Sequence, residues 1–417
     1  MAGAGENAQR NLGEVKKMQS KSQWTVKGFK FAARAAGIRR SGRLDLGLIY
    51  SEVPANCAGV FTTNKVVAAP VLVSSPRIAQ GRCQAILVNS GNANACTGEP
   101  GLQNTLRCGE LTALSLGLTE ELVAVSSTGV IGAQLPMDKF EQNVPLLAGQ
   151  LAEDGALDVA QCMMTTDSFS KMSKADGVVG GQSYSIVGLA KGAGMIHPNM
   201  ATMLAFVCTD ANVSAPFLKE ALRRAVDGSF NIVTVDGDTS TNDMVLVLAN
   251  GQAGTQEIQP GTDAGEAFVV HLEAVLLDLA KMIVRDGEGA TKLVEIRLTG
   301  AVDDADAKLA ARSVATSSLV KTAFFGEDAN WGRIIAAVGC SGAQVDPNKV
   351  AIRFNDIEVV KNGLSTGPDL EAKATAEVLK TPEFSVTVDL GLGAGVARYF
   401  TSDLTLDYVK INADYRT

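Results

Sequence analysis

The sequence predicts a mixed α/β fold of the α+β kind, with stacked mixed or antiparallel sheets flanked by helices. Three observations lead there. Short apolar runs rich in Val and Ile alternate with segments of helical periodicity. Several runs follow one another through links containing Gly or Asn, as in "AIRFNDIEVVKNG" (351–363), which argues against pure βαβ winding. The chain has 417 residues, 46% hydrophobic but only 5% aromatic, so Val, Ile, Leu and Ala must fill a large interior built as two lobes or layers.

In chain order, strands are expected at "LGLIYSEV" (46–53), "QAILVNSG" (84–91), "LVAVSSTGVIG" (122–132) and "YSIVGLA" (184–190). The second half adds "MLAFVCTD" (203–210), "MVLVLANG" (244–251), "LVEIRLTG" (293–300), "FSVTVDL" (384–390) and "LTLDYVKI" (404–411). Helical patterns fall near 101–117, 137–153, 214–227, 265–285, 303–323 and 369–380. Ser214 is a candidate N-cap for "APFLKEALRRAVDG", and Gly228 ends that helix. The run "AFVVHLEAVLLDLAKMIV" (267–284) is apolar on most faces, so it is expected between a sheet and another layer.

Charge and composition narrow the function classes. A net charge of −8 and a pI near 5.1 disfavour nucleic acid as a partner. No apolar run approaches the length of a membrane span. The first 24 or so residues mix both charges without an apolar centre, so a soluble tail is expected rather than a secretory signal. The seven cysteines are odd in number, widely spaced and without a CxxC pair, and only two histidines are present. Neither structural zinc nor a disulfide framework is expected, and a reducing cytoplasm fits.

One stretch raises a chemical question. "GMIHPNMATMLAFVCTD" (194–210) opens as a loop and runs straight into an apolar strand, with Thr202 at its threshold. A threonine at a strand start is ordinarily structural, and its hydroxyl is a poor nucleophile without an adjacent base. Cleavage of the bond before it changes that. Thr202 would gain an α-amine beside its own Oγ, and an α-amine titrates at about 7.7–8.0, which suits a general base. The chain can make the cut itself: Oγ attacks the Ala201 carbonyl, the acyl group shifts from N to O, and water hydrolyses the ester.

"KGAGMIHPNMATML" resembles the self-cleavage segment of the ornithine acetyltransferases, also called glutamate N-acetyltransferases, of arginine biosynthesis. So do "NSGNANACTG" (89–98), "SSTGVIG" (126–132), "MTTDSFSK" (164–171), "DGDTSTND" (236–243), "VRDGEGATK" (284–292) and "DLTLDYVKINADYRT" (403–417). The resemblance covers nearly the whole chain after about residue 24. It implies layering of the N-terminal-nucleophile type with its own topology, and self-cleavage into 1–201 and 202–417. It also implies acetyl transfer from N2-acetyl-L-ornithine to L-glutamate through an acetyl-threonine, with no metal or organic cofactor. Acetyl-CoA stays open as a further donor substrate, and an α2β2 assembly of the two fragments is expected.

The resemblance also assigns residues. Thr202 is the nucleophile, and Thr128 with Gly129 forms the oxyanion hole, where the residues alone suggest an ordinary exit from a strand. Lys191 and Thr165 would bind the substrate carboxylate, with Thr166 as the alternative hydroxyl. Glu288, in a glycine-flanked turn, would face an ammonium group. Asn412 and Thr417 would contact substrate from the C-terminal segment, which a strand at 404–411 would dock. His197 is discounted as a base, because it lies five residues before Thr202 and would leave with the other fragment. "DLGLGAG" (389–395) has glycines spaced like a nucleotide loop but leads into a strand pattern, so no phosphate site is expected. "ARYFTSD" (397–403) lacks a Trp found in the family pattern, which bears on local packing only. Two rivals stay open. One is an N-terminal-nucleophile amidase or aminopeptidase, and the other is an uncleaved ligand-binding protein.

Overall fold

The computed structural model describes residues 21–39, 42–197 and 203–413. Within them lie two mixed sheets and their flanking helices, the α+β layering expected from the sequence. The strands are β1 (Phe29–Arg34), β2 (Leu46–Phe61), β3 (Arg82–Asn89), β4 (Val123–Ser127), β5 (Lys171–Val179), β6 (Gln182–Lys191) and β7 (Leu204–Thr209). There follow β8 (Val233–Thr234), β9 (Met244–Ala249), β10 (Leu293–Ala301), β11 (Ala351–Phe354) and β12 (Ile357–Lys361). The last are β13 (Leu364–Ser365), β14 (Glu383–Asp389) and β15 (Gly395–Ser402).

The first sheet has the order β4-β3-β2-β9-β7-β6-β5, with β1 paired to β2. Its central strands, β7 and β9, run parallel, with Leu204 opposite Met244. Both are buried along their whole length, which explains why they read as apolar runs without alternation. Leu204, Phe206, Met244 and Leu246 enter a core with helix Ala156–Met163. Met203, Ala205, Val207, Val245 and Val247 enter the opposite core, under helices Ala215–Asp227 and Asp263–Arg285. The long apolar helix Asp263–Arg285 shares that core with Leu293 and Phe400 of the second sheet. It therefore lies between layers, as its all-round hydrophobicity predicts.

The second sheet has the order β13-β12-β11-β14-β10-β15-β8. Val294, Ile296, Leu298, Val386 and Val388 pack on Ala307, Ala310, Ala311 and Val314 of helix Asp304–Thr316. The helical pattern 303–323 is two helices, because Ser317 ends the first and caps Ser318–Phe325 through Val320 N–H (3.3 Å).

One expected strand is a helix. Residues 404–411 read as alternating, but Leu406–Ala413 is α-helical. Thr405 accepts the Tyr408 amide at 3.1 Å, an N-cap bond that starts the helix. An eight-residue run cannot be assigned by alternation against such a cap. "DLGLGAG" leads into strand β15 rather than into a helix N-terminus.

Candidate active site

A cavity of about 620 Å³, counting its open mouth, lies where the ends of β4 and β6 meet the turns after Met163, after Arg285 and before β9. Its wall includes Thr128, Gly129, Thr165, Thr166, Lys191, Glu288 and Asn412. The two alternative hydroxyls, Thr165 and Thr166, therefore both face it. Of the other named residues, Ala201, Thr202 and Thr417 lie outside the described residues.

Thr128 and Gly129 follow β4. The Thr128 amide is engaged by Asn89 O (3.0 Å), so the donors left to this pair are the Thr128 hydroxyl and the Gly129 amide. Gly129 has φ +137°, and a Cβ there would stand 2.3 Å from Gly91 C. Only glycine can bring this turn so close to the Gly91–Asn92 backbone. Asparagines hold the turn. Asn242 Nδ2 donates to Ala93 O (2.6 Å) and Ser127 O (2.9 Å), and Asn92 Nδ2 donates to Ala133 O and Gln134 O. Ser127 Oγ donates to Asn89 Oδ1 at 2.6 Å. These side chains give "NSGNANACTG" and "DGDTSTND" a physical task the sequence alone does not disclose: they build the turn that carries the two donors.

Lys191 ends β6 opposite Leu204 of β7 and is buried. Its Nζ donates to Thr128 Oγ1 at 3.3 Å. That leaves the Thr128 proton free to point at another acceptor, and the nearby cation strengthens it as a donor. The cation and the hydroxyl assigned separate tasks from the sequence are thus directly bonded. Burial pulls the Lys191 ammonium below the ordinary lysine value, while the charges of Asp167, Asp243 and Glu288 oppose that pull.

Glu288 sits in the turn after helix Asp263–Arg285, where its amide donates to Ala193 O (2.8 Å). Its Oε2 accepts Asn412 Nδ2 at 2.8 Å, so the C-terminal helix closes this end of the cavity. A Cβ on Gly194 would stand 2.5 Å from the Glu288 carboxylate, so any larger residue there would displace that side chain. Asp236 accepts the Met195 (2.6 Å) and Ile196 (2.8 Å) amides together with the Tyr408 hydroxyl (3.3 Å). It ties the segment before residue 198 to the same helix.

The chain on the other side of Thr202 is equally well held. The Met203 amide donates to Asp243 Oδ1 (2.9 Å), and its carbonyl accepts the Met244 amide (3.3 Å). Burial raises the Asp243 carboxyl well above its usual range, against the Met203 hydrogen bond and the charge of Lys191. His197 lies beside Thr234 Oγ1 at 3.5 Å and is not part of the cavity wall. Burial lowers its basicity. Ser240, Thr241 and Asn242 line the cavity, although the sequence reading gives them no role.

The arrangement offers a buried cation, a hydroxyl and a backbone amide side by side, a carboxylate–amide pair and further hydroxyls around one cavity of mixed lining. That suits a zwitterionic substrate of amino-acid size whose acyl group reacts near Thr128. Known proteins resemble this chain over most of its length. The sequence matches the ArgJ family model over residues 30–417. It is 67% identical over 394 residues to the arginine biosynthesis bifunctional protein ArgJ of Syntrophotalea carbinolica, covering 94% of this chain and 99% of the relative. It is 55% identical over 392 residues to the protein of the same name from Geobacter sulfurreducens, covering 94% and 100%. Among solved structures, the bifunctional ArgJ of Bacillus halodurans aligns at 45% identity and TM-score 0.48, over 50% of this chain and 97% of that one. The ornithine acetyltransferase of Mycobacterium tuberculosis, solved with ornithine, aligns at 38% identity and TM-score 0.38, over 42% and 93%.

Proposed function

The chain belongs to the ArgJ family, and from that premise we propose that it transfers an acetyl group from N2-acetyl-L-ornithine to L-glutamate in arginine biosynthesis. Acetyl-CoA serves as a second acetyl donor to glutamate, in keeping with the bifunctional name of its relatives. The observation that carries the reading is the meeting of Thr128, Gly129, Thr165, Lys191, Glu288 and Asn412 on one cavity, in a chain whose relatives bear that name.

The enzyme arises by self-cleavage at Ala201–Thr202, giving Thr202 a free α-amine. That amine takes the proton from Thr202 Oγ as Oγ attacks the acetyl carbonyl. The Thr128 hydroxyl and Gly129 amide stabilise the oxyanion. The proton passes to the substrate nitrogen, ornithine leaves, and acetyl-threonine remains. Glutamate then attacks the ester with its α-amine, and the same groups serve in reverse. Lys191 and Thr165 hold the carboxylate common to both amino acids. Glu288 and Asn412 face the donor's ammonium, and Thr417 contacts substrate from the C-terminus. The reaction so written uses no metal or organic cofactor. It runs in the cytoplasm, in an α2β2 assembly of the two fragments.

Three measurements test this. A denaturing gel and N-terminal sequencing should show two fragments, the second beginning at Thr202. A single full-length band would favour a non-catalytic binder. Product analysis of purified protein with acetylornithine should show acetyl transfer that depends on glutamate. Acetate release independent of glutamate would favour a hydrolase. Acetyl-CoA with glutamate should yield acetylglutamate, and absence of that product would restrict the enzyme to ornithine exchange.

A further inference from the structure

Asp167 is buried and has no part in the reading above. Its two oxygens gather four donors. Oδ2 accepts the Thr165 amide (2.8 Å) and lies 3.5 Å from the Thr165 hydroxyl. Oδ1 accepts the Gly192 amide (2.7 Å) and Lys171 Nζ (2.8 Å). Lys171, fully buried on β5, reaches on to Asp286 at 2.5 Å. Asp286 accepts the amide (3.0 Å) and the hydroxyl of Ser168. Gly192 directly follows Lys191. One carboxylate thus joins the turn that supplies a cavity hydroxyl to the strand end that supplies the cavity's cation.

Resting on the acyl-transfer reading of this cavity, we propose that Asp167 is the positioning residue of the substrate-carboxylate site: it fixes Thr165 and Lys191 at one spacing and places a buried negative charge beside the strand end that carries Lys191. The charged groups facing Lys191 are Asp167 from the turn before β5, Lys171 on β5, Asp243 just before β9, and Glu288 after helix Asp263–Arg285. Burial is the largest influence on Lys191 and lowers its proton affinity, and Asp167 is the strongest charge against it. Lys171 adds to the lowering, while Asp243 and Glu288 oppose it. For Asp167 itself, burial pushes upward, but Lys191 and Lys171 outweigh it and hold the carboxyl well below its usual range. Asp167 is therefore an anion wherever the enzyme works.

The sign of the pH effect follows. Carboxylate binding needs the Lys191 ammonium, which is present below its pKa and lost as pH rises through it. Removing the Asp167 charge leaves burial and Lys171 less opposed, so the ammonium is lost at lower pH. Asp167→Asn should raise KM for acetylornithine and glutamate by about ten-fold or more and move the alkaline limb of kcat/KM downward in pH. A purely structural defect would reduce the active fraction without moving that limb. Asp167→Glu keeps the charge but shifts its position, so KM should rise with the limb unmoved. This variant carries the test if Asp167→Asn does not fold. Unchanged KM for both substrates in a folded Asp167 variant, or an unmoved limb in folded Asp167→Asn, overturns the proposal. Lys191→Met separates this failure from failure of the site reading: if it too leaves both KM values unchanged, the clamp itself is rejected. Cleavage is checked by denaturing gel in every variant, so that an uncut chain is not counted as a weakened site.

Discussion

At the scale of single residues, the informative contact is Lys191 with Thr128. Sequence reasoning separates a carboxylate clamp from an oxyanion donor, and on that view each variant would alter one kinetic constant. The 3.3 Å bond between Nζ and Oγ1 joins them. Lys191→Met should therefore raise KM for both amino acids and also lower kcat. Loss of a charged hydrogen bond costs about 1.5–3 kcal/mol, roughly ten- to a hundred-fold in binding. Steady-state kinetics on fully cleaved protein decide this, and a pure KM effect would show that the bond has no bearing on the transition state. Thr128→Val should lower kcat, by about 10²–10³-fold if the hydroxyl acts as an oxyanion donor. The sequence around Asp167 hides its role. In "TTDSFSK" an aspartate reads as a solvated turn residue, and nothing local shows that Lys171 bridges it to Asp286, 115 positions beyond that lysine.

At the scale of elements, burial explains which segments were legible. β7 and β9 are packed on both faces and announce themselves as apolar runs. β1, "FKFAAR", and β5, "KMSKADGVV", are interrupted by charged residues, so their sequences do not read as strands. The C-terminal helix reads as a strand in the sequence because its identity rests on one cap. The Thr405 hydroxyl accepts the Tyr408 amide and donates to Gly289 O (2.8 Å). It therefore pins the helix that carries Asn412 to the turn that carries Glu288. Thr405→Ala should cost about 1 kcal/mol of helix stability and loosen the Asn412–Glu288 contact. The expected signature is a modest fall in melting temperature with a larger rise in KM for acetylornithine. Unaltered KM beside a lowered melting temperature would mean that the cap stabilises the helix without shaping the cavity.

At the scale of the whole molecule, the strand order matters most. Were the chain cut after Ala201, the first fragment would hold β1 to β6 and the second β7 onward. In the first sheet β9 and β7 stand side by side between β2 and β6. The second fragment thus supplies the middle of a sheet whose flanks belong to the first, so neither part holds that sheet whole, although the second sheet lies entirely in the second fragment. The fragments should co-purify and melt in one transition. Residues 1–201 expressed alone should be insoluble or unfolded by circular dichroism, and a folded, soluble 1–201 product would contradict this.

That interleaving gives the molecule a history. As one chain, the protein can assemble the sheet with all its strands tethered. Were it cut after Ala201, rebuilding the sheet would require two separate molecules to find each other. Unfolded Thr202→Ala should regain structure at a rate independent of protein concentration, while the cleaved form should recover more slowly as it is diluted. The mature protein would then endure because it opens slowly, so its useful lifetime is governed by the height of a barrier rather than by an equilibrium it can revisit.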